Sequence, residues 1–237
     1  MENAIWTIFY DLPDESRNEY LNWFHEVQIP KALSRKGYLW AAHYQVVYKK
    51  PRANMRRSDA PALPVDTGYA ILLGGESTRT FCDPSPKQLE DRYDTKTRDM
   101  FARRIHPVGY IHAVEWYVEG SESSRRDPSG MPAPCIQMGL FDASGCDEDL
   151  GAWYAQERMV LWSRTSGSVS GRKLLATVGS QRHGVLYDFT SLEVHKNYFP
   201  TLNATDWTSR VHSYLVHPQG SAFLGRRIWP PEEIPRT

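Results

Sequence analysis

Residues 23–30 read "WFHEVQIP" and residues 153–160 read "WYAQERMV", an aromatic pair opening each. Upstream of each lies a short apolar run, "IWTIFYD" at 5–11 and "IQMGLFD" at 136–142. Downstream, "IHPVG" at 105–109 is matched by "VHPQG" at 216–220. Three matches in the same order read as one unit written twice, so the fold is the fold of that unit.

The first unit reads strand, helix, strand, strand, helix, strand. Residues 4–11 are β-branched and aromatic, a strand pattern. Ser16 with Glu19 makes a capping box, after which Tyr20, Trp23, Phe24 and Val27 recur at helical spacing. Pro30 is expected to kink this helix and Gly37 to stop it. Residues 38–48 and 68–75 read as strands. Ser85, Pro86 and Gln88 start a second helix, with Leu89, Tyr93, Met100, Phe101 and Ile105 on one face. A strand at 110–119 closes the unit.

The second unit repeats the order: strand 135–142, helix 147–164, strands near 171–179 and 184–194, helix near 205–216, strand near 221–229. This is the ferredoxin-like β-α-β-β-α-β motif, whose sheet carries helices on one face only. An open apolar face must be covered, and two copies in one chain can cover each other. The expected fold class is therefore α+β, two ferredoxin-like repeats closing into a pseudo-symmetric α/β barrel. Its parts are a first repeat at 1–119, a Gly/Ser/Pro-rich linker at 120–134, a second repeat at 135–230 and a tail at 231–237.

Lys plus Arg equals Asp plus Glu, 28 each, so no global field favours nucleic acid or an anionic membrane. No stretch approaches the roughly 18 apolar residues of a membrane span. The N-terminal residues lack signal-peptide features, and "NAT" at 203–205 outside a secretory route is a chance sequon. Cys82, Cys135 and Cys146 form neither an even set nor a ligand spacing, so neither a disulfide framework nor a metal site is expected, and the cytoplasm is the expected compartment.

Trp23, Phe24, Ile29, Pro30, Gly37 and Tyr38 resemble the pattern of the dimeric α/β-barrel (ferredoxin-like, EthD-like) superfamily. The resemblance covers most of both units in element order. It implies a small-molecule protein, with cofactor-independent oxygenases, isomerases and cyclases, haem enzymes and proteins without known activity among its members, and homodimers among its assemblies. One position departs. Five residues after the tryptophan, relatives often carry histidine; here it is Gln28, and Arg158 in the second unit. Pro30 is replaced by Val160, so the second helix is expected to run straighter.

Adjacent helical residues point about 100° apart, so His25 and Glu26 are not a dyad, and His25 is read as an edge residue. His106 and His217, each before a proline, are read as helix stops. His43 and His112 are mid-strand, His112 on the face of Tyr110, Val114 and Trp116; these two are the candidate catalytic histidines. Trp116, Arg172 and Tyr187 are the candidate substrate contacts, an inward arginine being suited to a carboxylate or enolate. The basic insertion at 49–66, with Lys49, Lys50, Arg52, Arg56 and Arg57, is a loop that can gate a pocket or stay solvated. Taken together, the expectation is an enzyme acting on an aromatic or polyketide-like small molecule in the barrel interior with no cofactor. A binding-only or stress-related protein and a haem enzyme are the alternatives.

Overall fold

A computed structural model describes residues 1–47, 55–63 and 68–232. Its strands are β1 (Ala4–Asp11), β2 (Tyr38–Val46), β3 (Arg56–Arg57), β4 (Tyr69–Gly75), β5 (Ile105–Glu119), β6 (Cys135–Phe141), β7 (Ser168–Val178), β8 (His183–Phe189), β9 (Val216–His217) and β10 (Phe223–Trp229). Eight of them close an antiparallel barrel in the order β1-β4-β2-β10-β6-β8-β7-β5. Within each half the order is that of a ferredoxin-like sheet, the half's fourth strand beside its first and its second at the other edge. The halves join edge to edge through β2–β10 and β5–β7. Closure removes the exposed strand edges that either sheet alone would present.

The helices lie outside. In the first half, α1 (Arg17–Trp23) runs through a π turn (Phe24–Gln28) into α2 (Ile29–Leu33). Then come α3 (Thr78–Cys82), α4 (Pro86–Glu90) and α5 (Thr95–Phe101). The second half has α6 (Asp147–Trp153), a π turn (Tyr154–Arg158), α7 (Met159–Arg164), α8 (Leu192–Tyr198) and α9 (Asp206–Tyr214). The Ile29 N–H bonds Phe24 O, and the Met159 N–H bonds Tyr154 O, both five residues back. The second helix therefore bends at the same place without the proline. Pro30 is accommodated by the π turn and does not cause it.

Three other helical expectations change. The Ser85–Gln88 capping box is present, whereas the Ser16 side chain makes no cap bond. Glu19 instead takes a two-pronged bond from Arg103. The long helix expected over 85–105 is two short ones, because Asp94 caps a new start at Thr95. Neither His106 nor His217 stops a helix; His106 lies in β5 and His217 in β9.

Alternate residues of each barrel strand point inward, and they fill the barrel with side chains. Ile5, Phe9, Tyr44, Leu72, Met138, Leu140, Leu174, Leu186 and Phe223 form one buried cluster there. Segment 120–134 is a stopper as well as a connector. Met131 enters the interior cluster, Tyr44 donates its hydroxyl to the carbonyls of Pro132 and Ala133, and the Ala133 N–H donates to Asp188. Leu63, from the described part of the 49–66 insertion, enters the same cluster at the other end, where its N–H bonds Gln219 O. Arg56 and Arg57 pair as β3 with β9, and Arg57 donates to Pro218 O and Ser221 O. Lys49, Lys50 and Arg52 lie outside the described residues, as do residues 233–237 of the tail.

Candidate functional site

The barrel interior, where the sequence suggested a site, is occupied by the buried cluster described above. A cavity of about 780 Å³ lies on the outer face of the first half's sheet, beneath its helices. Trp6, Ile8, Ile71, Leu73 and Ile111 form its floor. These are the outward-facing residues of β1, β4 and β5. Phe24, Gln28, Ile29, Ala32 and Arg35, on the π turn, α2 and the residues just after it, form the roof. Tyr93, Phe101 and Arg104 make one wall, and Lys87, Glu90, Asp91 and Arg98 stand at the exposed rim. An apolar cleft of this size with a few polar groups is the usual form of a small-molecule site.

Two polar groups face this space with donors or acceptors left over. Gln28 is only 5% exposed, and its amide has no hydrogen-bond partner among the described residues. A π turn displaces the residues it carries from regular helical phase, which is why such turns recur at functional sites. Arg104 is the second group. Its Nε donates to the Tyr20 hydroxyl at 2.6 Å. Its guanidinium carbon sits 4.3 Å from the ring centres of both Tyr10 and Phe101 and 5.0 Å from that of Phe24. No carboxylate is within ion-pair distance of it among the described residues. The rim charges, by contrast, satisfy one another: Lys87 reaches both Glu90 and Asp91, and Arg98 donates to Asp91 O.

Behind Arg104, Tyr20 packs edge-on against Tyr10, which starts a short hydrogen-bonded chain. Tyr10 Oη is 2.8 Å from His43 Nε2, and His43 Nδ1 is 2.8 Å from His25 Nε2. With neutral rings the two histidine links run in the same sense: Tyr10 O–H donating to His43 Nε2 goes with His43 Nδ1–H donating to His25 Nε2, and the reverse goes with the reverse. Burial pushes the His25 imidazole down to about 4. Burial, then His25 and Arg104, holds His43 well below the usual imidazole range. Both rings are thus neutral at pH 7, and burial raises the Tyr10 and Tyr20 phenols. His25, read from sequence as an edge residue, is the half-buried outer end of this chain, its ring stacked on Trp229.

The sequence candidates are dispersed. His43 faces the helices and His112 the barrel interior, so the two cannot act as a pair, and neither lines the cavity. Both His112 nitrogens lack partners, and burial pushes its imidazole down to about 3. Trp116 does not share the His112 face, because the β5–β7 register shifts between Val114 and Trp116; Val114 packs inward and Trp116 outward on the second half's helices. Arg172 does point inward, but it is consumed at the barrel end. It bonds Glu2 at 2.6 Å, Ser170 Oγ and Gly130 O, with Asp188 at 3.7 Å. Tyr187 lies in the second half's helix–sheet layer, where Arg158 Nε donates to its hydroxyl. Sequence reasoning missed Arg104, Ala32 and the sheet floor.

Haem, carried by some proteins of this fold type, finds no support in this cavity. Proximal ligands to haem iron are imidazole, thiolate, thioether or phenolate. No histidine, cysteine or methionine lines the cavity, and the wall phenol of Tyr93 is raised by burial, away from the ionised form a ligand needs.

The fold defines the class: a ferredoxin-like α/β barrel, here with a cavity between the sheet and the helices of its first half. Among solved structures the chain is similar to an anthrone oxidase-like protein, with a TM-score of 0.59 and 11% identity over 95% of this chain and 90% of that one. It is similar to a mutant chlorite dismutase from Candidatus Nitrospira defluvii in complex with cyanide, at TM-score 0.53 and 11% identity over 95% and 91%. It also resembles a dye-decolorizing protein from V. cholerae, at TM-score 0.54 and 10% identity over 95% and 93%. At such identities the likeness is one of fold. No protein-family profile and no curated protein matches the sequence. Among the described residues no helix is long and apolar enough to cross a membrane, and no cluster of three or more candidate metal ligands occurs.

Proposed function

We propose that the protein is an oxidative small-molecule enzyme that takes an aromatic or polyketide-like substrate into the helix–sheet cavity of its first half and works without haem. The observation that carries this reading is the 780 Å³ apolar cavity with the buried, unpartnered Gln28 amide on its π turn. The fold shared with an anthrone oxidase-like protein supports the oxidative class by analogy only. For a substrate of anthrone type the reaction balances without a cofactor. The ring methylene loses a proton, the resulting carbanion is oxidised by dioxygen, one oxygen atom becomes the new carbonyl and the other leaves as water.

Oxygen uptake by the purified chain with anthrone tests the reading. Uptake above the uncatalysed rate, lost in Ala32→Trp, is the expected result. A Soret band developing stoichiometrically on haem addition, or the same uptake with and without Ala32→Trp, would overturn it. A binding-only role is the second reading, favoured by the absence of an imidazole from the cavity lining; it predicts ligand binding at the same place with no uptake. The matching π turns and strand orders also support descent of the two halves from one doubled unit.

A further inference from the structure

We infer that the cavity selects its ligand as an anion: an aromatic molecule whose ionised oxygen docks on Arg104, with Gln28 as a second polar contact. This rests on the cavity being the small-molecule site, and it adds the charge state and the residue that recognises it.

The contrast between neighbouring arginines shows the point. Arg103 turns to the surface and is neutralised by Glu19 at 2.6 Å. Arg104, one residue on, turns into an aromatic seat and keeps its charge unopposed, with only Nε engaged. Neither terminal nitrogen of its guanidinium has a hydrogen-bond partner among the described residues. A guanidinium presents its donors as a planar fork matched to an oxyanion, and a fixed fork loses less freedom on binding than a mobile one. The fixing comes from the Tyr20 hydroxyl and from the rings of Tyr10, Phe24 and Phe101 around the guanidinium. With His25 and His43 neutral, Arg104 is the cation seated among the aromatic rings, and Arg35 is a second cation in the cavity roof.

The lining also lacks a well-placed base. The carboxylates of Glu90 and Asp91 stand exposed at the rim on Lys87, and no imidazole faces the space. A phenol or enol acid that enters already ionised needs no such base, and a cation at its oxygen favours that form.

Two dyes of one ring system test the charge. 1-Anilinonaphthalene-8-sulfonate is an anion and N-phenyl-1-naphthylamine is neutral, and both fluoresce on entering apolar sites. In the full chain Arg104→Met is expected to weaken the anionic dye at least tenfold and leave the neutral dye within about twofold, by loss of one charge-assisted contact. Arg104→Lys, which keeps the charge and loses the fork, falls between. Competition against the anionic dye by 1-naphthoate and by 1-naphthol tells a carboxylate ligand from a phenolate. Should the Arg104 variants fail to fold, the wild-type chain still decides through 4-nitrophenol, whose bound fraction turns yellow at a lower pH than the free phenol. An unchanged ratio of the two dyes in Arg104→Met, or an unshifted nitrophenol titration, overturns the inference and leaves the cavity reading standing. Failure of both dyes to bind the wild-type chain overturns both.

Discussion

The two helix–sheet layers share strand order and a π turn at the same place, yet one encloses a cavity and the other carries larger buried side chains at the matching positions. Three substitutions at matched positions account for the difference. Nine residues after the paired tryptophans stand Ala32 and Trp162; five residues after them stand Gln28 and Arg158. On the sheet, Leu73 lies opposite Trp6 and Tyr187 lies opposite Gln137, which are equivalent strand positions. In the second half Trp162 is fully buried against Tyr187, Phe189 and Phe199. Arg158 threads between them, bonding Tyr187, Leu202 O and Asn203. An arginine there completes a core; a glutamine there, with an alanine one turn on, leaves room for a ligand. The lesson is that one scaffold serves as either filled core or binding site according to side-chain volume at a few roof and floor positions.

The comparison breaks most forcefully at Trp162. Trp162→Ala should cost about 3–5 kcal/mol in denaturant unfolding, as expected for a large buried side chain that leaves a hole. It should also give the second half a dye-accessible space that it now lacks. The converse change, Ala32→Trp, should fill the first half's cavity and weaken binding of the anionic dye by roughly 100-fold, about 2.7 kcal/mol. Calorimetric titration checks it, with the melting temperature preserved or raised.

His43 and Lys173 occupy matched strand positions and differ in how pH reaches them. A histidine whose imidazole is depressed on folding binds protons more readily when unfolded. Its stabilising contribution is therefore full above about pH 6.5 and is lost as pH falls towards the folded value, about 4 for His25 and well below the usual imidazole range for His43. Each such histidine steepens the loss by up to about 1.4 kcal/mol per pH unit. Melting curves between pH 7 and 4 should fall less steeply for His43→Gln than for the wild type. An identical slope would mean that His43 is accessible to protons in the native state. The smallest effect belongs to the rim: Lys87→Ala, which removes two exposed ion pairs, should move the melting temperature by no more than about 2 °C.

Much of the architecture was readable because strand and helix periods differ and because the same order of elements recurs in both halves. "IWTIFYD" and "IQMGLFD" mark the first strand of each half, and the paired aromatics mark the helix above it. What could not be read was which face of each strand looks inward. A shift in register beside Glu115 turns Trp116 away from the His112 side, and no local pattern announces it. Alternation placed one of Arg172 and Lys173 inward without saying which, and the partner of Arg172, Glu2, lies 170 residues away, beyond any spacing argument. Gln28 was visible as a departure from the superfamily pattern, and the structure gives that departure a location on the cavity roof. The Ala32–Trp162 contrast was also present in the aligned halves, as a volume difference at equal offset from each tryptophan. Arg104 was not legible, since only the folded chain distinguishes it from Arg103.

The stopper made by segment 120–134 bears on how the chain folds. Its Gly130 and Ala133 are tied to Arg172 and Asp188, and Arg172 to Glu2 at the chain's start. The barrel end is thus assembled from three widely separated parts of the sequence, so neither half can complete its own lid. Closing such distant loops before their contacts form makes for slow folding, with the last step requiring both halves at once. The two halves should accordingly melt together, and hydrogen exchange at Ala133 should report the unfolding of the whole barrel.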